Sequence, residues 1–199
     1  MSTERDTRAA ILDAARRLLE ERGYYGIGLD AIGRAAGVSR QAVYLHFRSK
    51  AGLLLALVEH VDQQHDLDAS RAPIAAARDA PAMLDALVAH MVSYTPRIHR
   101  IATVLDSARR TDSAAEAAWQ NRMASRRAGQ RRIVARLAEE GRLAEGWSID
   151  AATDFVWALT SIRVWEDLVL ARGWPKRRYV QHLRRVLRAS LVARRAHRR

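Results

Sequence analysis

The stretch AGVSRQAVYLHF, residues 36–47, decides the fold predicted for the N-terminal region. A glycine and small residues lead into a short helical run, in which Val43 and Phe47 lie four positions apart. This spacing puts both apolar side chains on one helix face, which we expect to be buried. The other positions carry side chains that form hydrogen bonds and stack but add little to packing: Arg40, Gln41, Tyr44 and His46. The run therefore has an outward face that indicates a binding surface.

The residues before this run predict a helix-turn-helix. Residues 29–36 are expected to form a short helix, and Ala35 keeps the side chain small where two helices cross closely. Gly37 can take the positive φ that the turn needs, and Ser39 caps the next helix. The free N–H groups at the start of that helix suit a phosphate, and its exposed face suits the major groove of DNA.

Residues 8–58 resemble the DNA-binding domain of the TetR family of transcriptional regulators. The residues in register with the family pattern are Ile11-Leu12-Asp13-Ala14-Ala15, Gly23-Tyr24, Ile32, Ala36-Gly37-Val38-Ser39, Tyr44, His46-Phe47 and Lys50. The segment ending in ARGWPKRRYVQHL, residues 171–183, is more loosely similar to the last two helices of the family. The resemblance implies an all-α fold, with a three-helix DNA-binding domain over residues 1–49 and an effector-binding and dimerisation domain over residues 50–199.

The resemblance also implies roles for single residues. Tyr44, Lys50 and His46 are expected on backbone phosphates, and Arg40 and Gln41 are expected to read bases. Arginine suits guanine and glutamine suits adenine, and each such pair is worth about 1–3 kcal/mol of discrimination. The predicted DNA-binding residues are Gly28, Ser39, Arg40, Gln41, Tyr44, His46 and Lys50. Tyr44 as a half-buried aromatic and His46 as a capping or packing residue are the structural alternatives.

Three positions depart from the family pattern. Ile27 and Gly28 replace a threonine pair, so a hydroxyl contact to phosphate is lost, although Gly28 can still serve as an N-cap. Gln41 stands where many members have glycine, and Gly33 replaces an alanine. We therefore expect the operator sequence to differ from those of typical family members and the phosphate anchoring to be weaker.

Apolar spacing, caps and helix breakers predict about nine helices along the chain. Alanine, leucine and arginine dominate, and no alternating strand pattern appears. The predicted helices cover residues 3–22, 29–36, 39–47, 50–66, 80–94, 96–106, 113–140, 148–172 and 175–195. Residues 67–79, which include Pro73, are predicted to be a connection, and Pro96 is predicted to separate two helices.

The last two predicted helices each carry an apolar face, and we expect these faces to pair across a homodimer. The interface residues would be Phe155, Leu159, Ile162, Trp165, Tyr179, Leu183, Val186, Leu187 and Ser190. Two helices from each subunit would make a four-helix bundle, and the two recognition helices would bind a palindromic operator in double-stranded DNA. The alternative is that these faces complete the core of the monomer.

The helices between these regions are expected to bind a small-molecule effector. Candidate wall residues are Met83, Leu87, His90, Met91, Tyr94, Trp119, Met123 and Trp157. Methionine and aromatic side chains suit an apolar or aromatic effector, but at helical spacing they also form ordinary core. An anionic effector held by Arg97 or Arg163 is a further hypothesis.

Composition argues against several other functions. The chain has no cysteine, which excludes disulfides, thiolate zinc sites and a cysteine nucleophile. No nucleophile elbow, His-Glu-x-x-His pair or phosphate loop appears, so we predict neither an enzyme nor a cofactor. A helical enzyme or metal-binding protein is the second hypothesis, and its support is a set without diagnostic spacing: His60, Asp62, His65, Asp66, His90 and His99.

The charge balance favours nucleic acid as partner without locating the site. The chain has 34 basic and 22 acidic residues, a net charge of +12. Residues 1–60 hold nine basic and seven acidic groups, whereas residues 172–199 hold eleven basic groups and none that is acidic. The C-terminal excess is most simply a solvated helix face and tail, with non-specific DNA attraction as the alternative.

The sequence also predicts where the protein acts and how it is regulated. The first residues, MSTERDTRAA, predict no signal peptide, and the run Leu53–Val58 is too short to span a membrane. We therefore expect a cytoplasmic repressor that a small molecule releases from its operator. An activator, or a regulator without effector, is the alternative within the same class.

Overall fold

The computed structural model describes residues 2–64 and 66–193, which are mainly helical, as predicted. The α-helices are α1 (Ser2–Arg22), α2 (Leu29–Ala36), α3 (Arg40–Phe47), α4 (Lys50–Gln64), α5 (Leu67–Ala75), α6 (Ala80–Ala108), α7 (Ser113–Glu139), α8 (Ile149–Leu159), α9 (Ile162–Trp165) and α10 (Lys176–Leu191). A 3₁₀ turn, Tyr24–Gly26, follows α1, and a π-helical turn, Glu166–Ala171, follows α9.

The chain forms two compact units. The first unit comprises Met1–Asp66 and Arg97–Met123, and the second comprises Leu67–Pro96 and Ala124–Arg199. One boundary between the units lies between α4 and α5, and the other two fall inside α6 and α7, so α4 belongs to the first unit. The functional boundary between residues 49 and 50 stays a prediction.

The core of the first unit forms where α1, α2, α3 and α4 pack together. Their apolar side chains at helical spacing are buried, with α6 and α7 adding further residues. Fully burying one such side chain stabilises the fold by about 1.5–3 kcal/mol. Its buried residues include Ile11, Leu12, Leu19, Ile32, Val43, Phe47, Leu53, Leu57, Ile101, Leu105 and Ala115.

The core of the second unit is built from one side of each of its longer helices. The buried residues of α6, α7, α8 and α10 form one apolar cluster. They include Leu84, Val88, Val134, Val156, Leu183, Leu187 and Leu191. This cluster therefore buries much of the apolar face of α10.

Two predictions based on proline were wrong. Residues 67–75 form α5 despite Pro73, because Leu67 is buried, Ile74 packs on the second-unit core and the neighbouring alanines favour a helix. Residues 80–108 form a single helix through Pro96. An interior proline costs about 3 kcal/mol, but the helix has buried side chains on both sides of it, among them Tyr94 and Ile101.

The predicted helix over residues 148–172 was also wrong, because α8 ends at Leu159. Thr160 Oγ1 donates to the Val156 carbonyl at 2.7 Å, and Ser161 Oγ accepts from the Val164 amide at 3.3 Å as the cap of α9. Such side-chain bonds compete with the helical backbone. The final helix is described as Lys176–Leu191, and the last two residues predicted for it, 194 and 195, lie outside the described residues.

Candidate nucleic-acid interface

The turn between α2 and α3 is closed by a left-handed glycine. Gly37 has φ 71° and ψ 25°. Its amide donates to the Arg34 carbonyl at 3.3 Å, and the Val38 amide donates to the Gly33 carbonyl at 2.9 Å. Glycine takes this conformation without the roughly 1–2 kcal/mol that another residue would lose. The glycine is therefore what allows α3 to start where it does.

The inward face of α3 is fixed by a cap and by the core. Ser39 Oγ accepts a hydrogen bond from the Ala42 amide at 3.1 Å. Val43 and Phe47 are buried, as is Ile32 of α2. These contacts leave α3 with one orientation in the unit, as the sequence predicted.

The outward face of α3 is exposed. Arg40 and Gln41 are exposed, and Tyr44 keeps 56% of its surface accessible. Arg40 Nη1 lies 3.6 Å from Asp30 Oδ2, and both side chains are more than half exposed. A pair this exposed contributes between nothing and about 1 kcal/mol, so it holds the guanidinium only weakly. The structure therefore does not support the alternative in which Tyr44 is a half-buried packing residue.

Leu45 is a surface residue that the sequence interpretation missed. Its side chain is 71% exposed, and it lies four positions after Gln41 on the same side of α3. That spacing was the signal that could have found it. An exposed leucine beside the side chains predicted to read bases could contact the methyl group of thymine.

Gly28 and its neighbour differ in what they offer to DNA. Gly28 is the exposed N-cap residue of α2 and makes no side-chain cap. Ile27 is buried in the first-unit core. The threonine pair of the family is thus replaced by a buried core residue, Ile27, and by Gly28, which offers only its backbone.

His46 lies between the core and the surface of α3. Its side chain is half-buried, and its ring centroid is 6.0 Å from that of Phe47. This contact supports a packing contribution, and a phosphate contact by the same side chain stays a prediction.

Lys50 is held by two groups from distant parts of the chain. Its Nζ lies 3.5 Å from Asp112 Oδ2 and 3.8 Å from the centroid of the Tyr24 ring. The sequence carries no local signal for the Asp112 contact, because 62 positions separate the two residues. Lys50, which the sequence predicts to bind phosphate, therefore already has an anionic partner in Asp112.

The predicted effector residues are divided between the two units. In the second unit, His90 and Tyr94 are buried and stacked with ring centroids 5.3 Å apart, and Ser70 Oγ lies 2.7 Å from His90 Nδ1. Leu87 is buried in the core, whereas Met83 is half-buried, with Arg136 Nη1 3.2 Å from its sulfur.

The remaining four effector candidates are half-buried: Met91, Trp119, Met123 and Trp157. Trp119 and Met123 belong to the first unit, where Trp119 packs against the core and the Arg109 guanidinium lies 5.3 Å from its ring centroid. Trp157 belongs to the second unit. Their role in effector binding stays a prediction.

The predicted dimer residues differ in exposure. Trp165, Tyr179, Leu183 and Leu187 are buried in the second-unit core of their own chain, which the alternative interpretation expected. Val186 is 43% exposed. The half-buried members are Phe155, Leu159, Ile162 and Ser190. Of the predicted interface residues, Val186 and the half-buried members are the ones that remain accessible to a second copy, and the dimer stays a prediction.

The candidate metal residues make other contacts. His60 Nε2 is 2.9 Å from Asp13 Oδ1, and Asp62 pairs with Arg122. Within residues 2–64 and 66–193, no three His, Cys, Asp or Glu side chains are grouped as a metal site would require; His65 lies outside these ranges. In the same ranges, no helix combines the length and the apolar character needed to cross a membrane.

A helix held on one side by a core, open on the other and entered through a glycine turn is the arrangement of helix-turn-helix DNA-binding domains. Residues 11–57 match the family described as "Bacterial regulatory proteins, tetR family". The match assigns this N-terminal segment to the DNA-binding domain type of the TetR family.

A known regulator matches about a third of the chain. The HTH-type transcriptional regulator TtgR of Pseudomonas putida is 43% identical over 61 residues, which are 31% of this chain. The chain spans 29% of the length of that relative.

Solved structures extend the similarity to the whole fold. NalD, described as the secondary repressor of the MexAB-OprM multidrug efflux pump in Pseudomonas aeruginosa, has 27% identity and a TM-score of 0.71. That match covers 96% of this chain and 98% of NalD. FadR from Bacillus subtilis, solved in complex with stearoyl-CoA, has 18% identity and a TM-score of 0.73, over 91% of this chain and 97% of FadR.

Proposed function

We propose that the protein is a homodimeric transcriptional repressor of the cytoplasm that binds a palindromic operator and is released by a small molecule. The observation that carries the proposal is the exposed outer side of α3, with Arg40, Gln41, Tyr44 and Leu45 on a helix fixed by buried residues. Two copies on an inverted repeat would each place one α3 in a major groove. Because one small module binds weakly, the dimer supplies the affinity.

The proposed effector is apolar or aromatic. Half-buried Met83 and Met91 and the buried aromatic pair of His90 and Tyr94 supply deformable and stacking surfaces in the second unit. The FadR structure holds stearoyl-CoA, whose acyl chain is apolar. The effector would act through a difference in its affinity for the DNA-binding and the released states.

Selection of bound sequences from random duplex DNA tests the DNA-binding part. The wild-type protein is expected to enrich an inverted repeat. Tyr44→Ala, which removes a predicted phosphate contact, and Arg40→Ala, which removes a predicted base contact, are each expected to weaken binding to that repeat at physiological salt. For Arg40 the lost base contact corresponds to about 1–3 kcal/mol.

The matched control is Arg185→Ala, which removes an exposed arginine from α10 in the second unit. It is expected to retain the selected sequence. If wild type and all three variants bind without sequence preference, the arginine-rich C-terminal segment accounts for binding and the proposal fails.

The sign of regulation needs a separate measurement, because the same DNA contacts serve a repressor and an activator. A reporter gene behind the selected repeat is expected to be silenced by the protein. Increased reporter expression would favour the activator alternative while leaving the DNA-binding assignment in place.

A further inference from the structure

The turn between α6 and α7 contacts the DNA-binding part of the first unit through an ion pair. Asp112 Oδ2 lies 3.5 Å from Lys50 Nζ, at side-chain exposures of 27% and 34%. The ammonium also lies 3.8 Å from the centroid of the buried Tyr24 ring, which attracts a cation through its face. Lys50 is therefore held from two sides at the start of α4.

Asp112 is itself fixed in position. Its Oδ1 accepts hydrogen bonds from the Ala114 amide at 2.9 Å and the Ala115 amide at 3.1 Å, as the cap of α7. The neighbouring Thr111 hydroxyl forms a hydrogen bond with the Tyr25 hydroxyl. The carboxylate thus cannot follow Lys50 without giving up the bonds that cap α7.

The ionised form of Asp112 is favoured. Burial raises the pKa of this carboxyl, but the Tyr24 hydroxyl, the α7 amides and the Lys50 charge lower it, and the net direction is downward. A carboxylate in this environment stays charged at neutral pH.

We propose that Asp112 competes with the DNA phosphate for Lys50 and so limits the affinity of this protein for DNA. The inference rests on the proposed function. Lysine binds phosphate as a point charge, so an ammonium neutralised by a carboxylate releases less binding free energy at the backbone. An arriving phosphate must also approach a fixed negative charge. Asp112 would therefore be a positioning residue that sets affinity without reading sequence.

Binding of a labelled random-sequence duplex, followed by fluorescence anisotropy across a salt series, tests the competition. Asp112→Asn keeps an acceptor for the α7 cap and removes the charge. The matched control, Glu116→Gln, removes a charge from the same turn region, where Glu116 pairs with Arg109 rather than Lys50. Asp112→Asn is expected to tighten binding about two- to fivefold beyond the control, the range for a partly exposed ion pair.

A double-mutant cycle with Lys50→Gln assigns the effect to this pair. In the Lys50→Gln background, Asp112→Asn and Glu116→Gln are expected to have equal effects. Equal tightening by the two substitutions in the wild-type background would overturn the proposal, as would a gain from Asp112→Asn that persists without Lys50.

A DNA-free readout separates this proposal from the proposed function. The pKa of Asp112, followed by carboxyl ¹³C NMR, is expected to rise in Lys50→Gln. An unchanged pKa would overturn the proposal even if an inverted repeat is selected. If the wild-type protein binds no duplex at all, the proposed function and the competition both fail, and a pKa that rises would then report a purely structural ion pair.

Discussion

The residues of α3 divide into two groups with separate roles. Val43 and Phe47 hold the helix in the core, while Arg40 and Tyr44 face outward. This division was predictable from the sequence, because side chains four apart share a face whatever the rest of the chain does. The Lys50 contact with Asp112 was not, because it depends on where a distant turn packs.

Gly37 offers a prediction at this scale, with a matched substitution in another helix. Gly37→Ala is expected to lower the free energy of unfolding by about 1–2 kcal/mol, because the residue has a φ of 71°. Gly129→Ala, in the middle of α7, is expected to raise it by about 0.5–1 kcal/mol, since nothing closer than 3.9 Å meets the new Cβ.

Urea unfolding followed by circular dichroism measures both changes. Equal effects of the two substitutions would contradict the assignment of a left-handed turn at Gly37.

At the scale of elements, α1 and α4 are joined by a polar contact as well as by the core. Asp13 Oδ1 lies 2.9 Å from His60 Nε2 and accepts from Gln64 Nε2 at 2.7 Å. Burial raises the pKa of Asp13, but these bonds and the charges of His60 and Arg16 lower it, and the net direction is downward. The contact therefore favours the ionised carboxylate.

A lowered folded-state pKa gives a pH prediction with a definite sign. The stabilisation by Asp13 is present above the unfolded-state pKa, about 3.9, and is lost as the pH falls through the folded value. Between pH 5 and pH 3, wild type is therefore expected to lose more unfolding free energy than Asp13→Asn. Chemical denaturation at a series of pH values checks this, and parallel curves for the two proteins would contradict it.

For the whole molecule, homodimer formation depends on which apolar side chains the second-unit core leaves exposed. Tyr179, Leu183 and Leu187 pack inside the chain, whereas Val186 is 43% exposed on α10. A dimer built on this side of the unit would bury Val186 near the partner, where a carboxylate would lose its hydration.

Val186→Glu is accordingly expected to shift the sedimentation coefficient from dimer to monomer and to weaken binding to the selected repeat. Gln181→Glu, which adds the same charge at another exposed position of α10, is expected to leave the dimer intact. A wild-type protein that sediments as a monomer, or a Val186→Glu variant that stays dimeric, would contradict the predicted interface.

The sequence by itself determined the helical class, the bounds of α2 at residues 29–36 and the division of α3 into inward and outward faces. These features follow from local chemistry: a glycine free to take positive φ, a serine cap and an i, i+4 apolar pair.

Only the tertiary structure decided that α6 continues through Pro96, that the helix predicted to reach residue 172 ends at Leu159, and that Asp112 lies against Lys50. Each outcome depends on contacts between residues far apart in the chain. Their packing and charge energies compete with local preferences of about 1–3 kcal/mol, and the order of the residues alone does not state which term is larger.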